Sequence, residues 1–117
     1  NGVADGPHAN NFLTSLEYWI NNNIKTNGFD GLLDINLISI FSSEMLIENG
    51  IRIQIDLDLD FIISKSALDS KTLINFKGSE FGEIFGQFSI NDKNIEVNNV
   101  MNKLIERLSN KISEEVN

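Results

Sequence analysis

Hydrophobic residues in this chain recur with two different rhythms, and the switches between them divide it into elements. In "NNFLTSLEYWINNNIKTNG" (10–28), Phe12, Leu13, Leu16, Trp19, Ile20 and Ile24 fall at three- and four-residue intervals. That spacing predicts a one-sided helix of about four turns. Asn10 or Asn11 is placed to cap its start, and Gly28 to supply the left-handed stop. From Leu33 the rhythm becomes two. The odd positions read Leu33, Ile35, Leu37, Ser39, Phe41, Ser43, Met45 and Ile47, and after "ENG" they resume as Ile51, Ile53, Ile55, Leu57, Leu59, Phe61 and Ile63. Two alternating runs around Asn49-Gly50 predict a long β-hairpin.

Parity chooses the loop. A two-residue loop at Asn49-Gly50 would put the two apolar sets on opposite faces. A three-residue loop, Glu48-Asn49-Gly50, sets Ile47 opposite Ile51, Met45 opposite Ile53 and Phe41 opposite Leu57, so the apolar residues share one face. Gly50 then takes the left-handed position of a bulge. The three-residue loop is the expectation.

Beyond the hairpin, "SKSALDSK" (64–71) reads as a polar turn and "TLINFKG" (72–78) as a strand. "EIFGQFSI" (83–90) alternates Ile84, Gly86, Phe88 and Ile90, either as a separate strand or as a continuation past a kink at Gly82. In "NIEVNNVMNKLIERLSNKISEEV" (94–116), Val97, Val100, Met101, Leu104, Ile105, Leu108, Ile112 and Val116 form an apolar stripe. It predicts a helix of about five turns, with Asn94 as its cap and Glu96 in the first turn. Residues 1–9, with two Gly, the only Pro and the only His, read as a flexible lead-in to a single domain over 10–117. The expected fold is α+β: an antiparallel sheet of three to four strands with a long central hairpin, and N- and C-terminal helices packed on one face.

On this ribbon "IDLDLDF" places Asp56, Asp58 and Asp60 on the face away from the core. Residues two apart on a strand are separated by roughly 6.7 Å, so Asp56 and Asp60 lie about 13 Å apart. A calcium ion needs every oxygen within about 2.6 Å. A solvated stripe is therefore expected, with no metal. Ile38, Ile40, Leu46 and Ile62 share that outer face in the predicted register. They are read as a partner or self-association surface, or as residues partly covered by the lead-in or a loop. Phe76, Phe81, Phe85 and Phe88, interleaved with Gly78, Gly82 and Gly86, are read as a core cluster or as the lining of a ligand pocket.

Composition narrows the chemistry. Nine basic residues against seventeen acidic give a net charge of −8, and the basic ones are scattered. A phosphate backbone needs clustered cations, so nucleic acid is not an expected partner. No apolar run approaches the ~18–20 residues of a membrane-spanning helix. The absence of Cys removes thiol catalysis and Cys-ligated zinc. His8 lies beside Pro7 with no recognisable nucleophile elbow, and Ser42-Ser43 read as strand spacers. No catalytic residue, metal site or cofactor is expected.

The order of these pieces over residues 10–116 resembles the YajG-type family of bacterial lipoproteins. The matching segments are the opening helix ending in "NGF", the strands "LLDINLISIFSSEMLIENG" and "IRIQIDLDLDFII", then "LINFKGSEF", and the ending "GQFSINDKNIEVNNVMNKLIERLSNKI". The layout is also similar to the LptE-type and PqiC-type envelope lipoproteins. The resemblance implies a domain in the periplasm or at the outer membrane, from a precursor with a signal peptide and a lipid anchor on an N-terminal Cys upstream of Asn1. It implies a binding or assembly module whose partner is an envelope protein, glycan or lipid. A small-ligand or lipid-binding domain is the first alternative. A SecB-like holdase, suggested by "GEIFGQFSI" and an acidic, homo-oligomeric style, is the second.

Overall fold

The computed structural model describes residues 2–26, 28, 31–65 and 70–116. Strand β1 (Val3–Asp5) is followed by helix α1 (Ala9–Trp19), which continues as a π-helical stretch over Ile20–Lys25. Three long strands follow, β2 (Leu33–Ile47), β3 (Gly50–Lys65) and β4 (Ser70–Phe85), and helix α2 (Ile90–Val116) closes the chain. The sheet runs β1-β2-β3-β4. Its three long strands are antiparallel neighbours, and β1 lies parallel on the outside of β2. The fold is the α+β sheet with a long central hairpin and two flanking helices that the rhythm predicts, elongated to 56 × 23 × 22 Å. No helix among the described residues is long and apolar enough to cross a membrane.

The core is one face of β3 with its cover. Ile51, Ile53, Ile55, Leu57, Leu59, Phe61 and Ile63 are all buried, and every residue between them from Arg52 to Ile62 is half-buried. Against them pack Val97, Val100, Met101, Leu104, Leu108 and Ile112 from the α2 stripe, and Phe12, Leu16 and Ile24 from the first helical segment. Burial of large aliphatic side chains contributes roughly 1.5–3 kcal/mol each, so this face supplies most of the stabilisation. α2 begins earlier than Asn94. Ser89 Oγ accepts from the Asp92 N–H (3.0 Å) while the Asp92 carboxylate accepts from the Ser89 N–H (3.0 Å), a reciprocal cap at the helix start. α1 likewise starts one residue before Asn10, with no side-chain cap bond at His8.

The hairpin departs from the expected register. Ile47 pairs with Gly50, so the loop has two residues, and Met45 faces Arg52 while Phe41 faces Asp56. Asn49, not Gly50, takes the left-handed backbone (φ 64°). Gly50 is required for a different reason: a side chain there would collide with the carbonyl oxygen of Ile84 on β4. Phase is recovered at a bulge. Leu37 pairs with Leu59 and Ser39 with Asp58, so Ile38 is the extra residue. On the loop side of the bulge the even residues of β2 face the core; beyond it the odd residues Leu33, Ile35 and Leu37 do.

Two further segments differ from the sequence reading. β4 is one continuous strand to Phe85, where Gly86 (φ 75°) turns the chain, and Ile90 already belongs to α2. Gly82 marks no kink; α2 presses on it, and a side chain there would meet the Glu96 carboxylate. Residues 3–5, within the expected lead-in, form β1 and pair with Ser39–Phe41. The middle of the polar turn expected at 64–71 lies outside the described residues. Along the edge strand β4, Arg107 Nη1 donates to the Ser79 carbonyl (3.0 Å) and Lys103 Nζ to the Phe81 carbonyl (3.3 Å). Cations held over backbone acceptors blunt an edge that would otherwise invite another strand.

Candidate functional site: the uncovered sheet face

Both helices lie on one side of the sheet, so its other side is open along strands roughly 50 Å long. Register sets its side chains in rows across β2, β3 and β4: Met45–Arg52–Glu83, Ser43–Gln54–Phe81, Phe41–Asp56–Ser79, Ser39–Asp58–Lys77, Asn36–Asp60–Asn75 and Asp34–Ile62–Leu73. Val3 and Asp5 of β1 extend the rows at Ser39 and Phe41.

The three aspartates form a polar ladder. Asp56 Oδ1 accepts from Ser79 Oγ (2.5 Å) and Gln54 Nε2 (3.1 Å). Asn75 Nδ2 lies 2.9 Å from both Asp58 Oδ1 and Asp60 Oδ1 and 3.2 Å from the Leu59 carbonyl. Each carboxylate thus keeps a neutral partner on the next strand, which lowers the cost of holding like charges in line. Among the described residues no group of three or more His, Cys, Asp or Glu could hold a metal ion. Over the middle of the ladder lies a shallow, open depression of about 280 Å³, lined by Ser39, Asp56, Asp58, Lys77 and Ser79 with Leu57 and Gly78 at its floor. Towards the hairpin loop, Arg52 donates from Nε and Nη2 to Glu83 Oε2 (2.9 and 2.7 Å), and its guanidinium lies 4.7 Å from the centre of the Phe81 ring.

The residues expected to form a surface patch separate. Ile40 is buried on the core face, because the bulge at Ile38 reverses the parity of β2; placing it outside is corrected here. Ile38 is exposed at the bulge (39%), and Ile62 is half-buried on the open face. Leu46 is 86% exposed, yet it pairs with buried Ile51 and so points to the helix side. The four phenylalanines do not line one pocket either. Phe76 is buried beside Leu59 on the core face, Phe81 and Phe85 are exposed on the open face, and Phe88 is half-buried in the turn before α2. Strand parity places Phe76 and Phe81 on opposite sides of the sheet.

Phe41 and Met45 belong to the open face (46% and 55% exposed), where the sequence reading does not put them. The signal was present: "LISIF" (37–41) is apolar at both parities, as a phase change requires.

His8, Ser42 and Glu44 also come together, on the helix side. His8 Nε2 meets Glu44 Oε2 at 2.5 Å, and Lys93 Nζ meets Glu44 Oε1 at 2.8 Å. Burial acts to raise the Glu44 carboxyl, but hydrogen bonds and charge from Lys93 and His8 outweigh it and hold the group below its usual value. Ser42 Oγ accepts from the His8 backbone N–H (2.7 Å), while the His8 imidazole is engaged with Glu44. The cluster ties the N-terminal segment to β2 and α2.

No protein-family model, curated protein or solved structure matches the chain.

Proposed function

We propose that this protein is a non-catalytic binding module of the cell envelope that presents the open face of its sheet to a partner. The observation that carries the reading is the one-sided placement of α1 and α2, which leaves Phe41, Leu73 and Phe81 exposed around the aspartate ladder. Apolar side chains ringed by polar ones mark surfaces that meet other molecules. The envelope setting rests on the pattern of segments shared with the YajG-type lipoproteins. The test is paired: wild type, Leu73→Asp and Asp58→Arg are used to capture partners from envelope extracts. A partner recovered by wild type and lost with both variants supports the reading; no such difference rejects it.

One observation favours a small-ligand domain as a second reading. A cleft of about 340 Å³ between α1 and β2 is lined by Leu13, Leu16, Ile20, Ile35 and Leu37, with Gly2, Glu17 and Asn36 at its rim. Native mass spectrometry of freshly purified protein checks it: a co-purifying small molecule lost with Ile35→Trp supports this site, and bare protein argues against it.

A further inference from the structure

The cleft between α1 and β2 does not stop at Ile20 and Ile35. A second cavity, of about 320 Å³, opens off the same two residues and continues past Ile24 and Leu33 to Lys25, with Asp34 at its margin. Sharing Ile20 and Ile35, the two form one groove with an apolar floor, from Leu13 and Leu37 at one end to Ile24 and Leu33 at the other. Four steps of β2 and about three turns of helix make it roughly 13–17 Å long.

The helix changes its winding along this groove, for Ile20–Lys25 is π-helical. In an α-helix Lys25 would stand about 140° round the axis from Ile20. With i→i+5 bonding, residues five apart come nearly into line, so the π turn sets Lys25 on the same wall as Ile20. Such windings are rare and recur at functional sites. Side chains support this one: Asn22 Nδ2 donates to the Tyr18 carbonyl (2.8 Å), Asn23 Nδ2 to the Trp19 carbonyl (3.1 Å) and Thr26 Oγ1 to the Asn22 carbonyl. Charge on the groove is uneven. Glu17 stands at the rim of one end and Lys25 at the other. Asp34 also borders the Lys25 end, but strand parity turns its carboxylate to the open face, in the row of Ile62 and Leu73. Lys25 forms no ion pair among the described residues.

We infer that the groove holds a fatty acid, its acyl chain lying along Ile20 and Ile35 and its carboxylate on Lys25. The inference rests on the small-ligand reading of the cleft and names the ligand's class. An apolar floor with one polar anchor selects an alkyl chain with a single head group. One unpaired cation, on a chain of net charge −8, matches a monoanion better than a phosphate with its second charge. The methyl end then lies towards Leu13 and Leu37, which keeps the ligand's carboxylate at the opposite end from Glu17. A zigzag of ~1.52 Å carbon–carbon bonds advances roughly 1.25 Å per carbon, so about ten carbons span the groove.

Calorimetric titration of the whole chain with decanoate and with 1-decanol, alike in tail and different in head, tests the assignment. The expected result is saturable one-to-one binding of decanoate, weakened roughly five-fold by Lys25→Gln, about the most that an exposed ion pair provides. Decanol binding is unchanged by Lys25→Gln, and Ile35→Trp, which fills the middle of the groove, abolishes both. Lys25 is exposed, so its variant keeps the fold. Circular dichroism checks Ile35→Trp, and Leu13→Trp replaces it if that fold is lost. Absence of saturable decanoate binding, a decanoate affinity indifferent to Lys25→Gln, or equal losses for the two probes overturns the proposal. So does decanoate binding that survives a folded Trp variant, which places the acid elsewhere. Decanol held in the groove while decanoate is refused rejects the fatty acid but leaves the small-ligand reading standing. Neither probe binding, together with bare protein in native mass spectrometry, removes both.

Discussion

The two sides of β3 contrast sharply, though alternate residues of a single strand supply them. On the helix side seven consecutive odd positions from Ile51 to Ile63 are buried, with four of them fully inaccessible. On the open side Arg52, Gln54, Asp56, Asp58, Asp60 and Ile62 are half-buried by their neighbours alone. The helix side obtains its stability from apolar area and close packing. The open side obtains order from cross-strand hydrogen bonds such as those of Asn75 and Ser79, each worth about 1 kcal/mol or less. One face is built to be covered by its own chain, and the other keeps its shape without cover.

That contrast can be broken most sharply with adjacent residues. Leu59→Ala opens a cavity under α2 and α1 and should lower stability by about 2–5 kcal/mol, whereas Asp58→Ala should change it by about 0.5 kcal/mol. Urea unfolding of the pair checks this, and equal losses would mean that both faces bear the load. Next in size is Gly50→Ala. The added methyl meets the Ile84 carbonyl, and β3 must move off β4 at the loop end, at a cost of about 2 kcal/mol measured by the same unfolding. Asn75→Ala removes one donor from two carboxylates on the open face and should cost about 0.5–1 kcal/mol. Asn75→Asp, which also sets a third charge beside them, should cost more.

The smallest effect concerns acid. The Glu44 carboxyl is held below its usual value in the folded chain, so its contribution is present above the unfolded carboxylate range and is lost as pH falls through the lower, folded value. Glu44→Gln should therefore cost under about 1 kcal/mol at pH 7. It should also flatten the decline of stability below about pH 4, as seen in thermal unfolding across pH. An unchanged slope in the variant would show that the Lys93–Glu44–His8 cluster does not couple the termini to acid.

The long-period features were legible because they repeat. Two helices with one apolar stripe each, and a ribbon with strict alternation in β3, follow from spacing over many residues. The face assignment of β2 was not legible by parity alone. Parity assumes an unbroken count, and one extra residue at Ile38 reverses it for Ile40, Phe41, Met45 and Leu46. The three-residue loop was inferred to rescue a phase that the strand corrects internally. β1 was missed because three residues carry too little period, and its position depends on Ser39–Phe41, far along the chain. The grouping of the phenylalanines failed for the same reason as Ile40: residues five apart on one strand point opposite ways, whatever their closeness in sequence.

The extra residue at Ile38 has one more consequence. Removing it would leave Leu37 against Leu59 and Ser39 against Asp58, with every other partner unchanged, so β2 would become shorter without changing which side chains face the helices. Insertions and deletions elsewhere in these strands would turn half a strand inside out. At this point the ribbon's length can vary while its surface chemistry stays fixed, and the coiling of the open face, which bulges strengthen, is what such a change would alter.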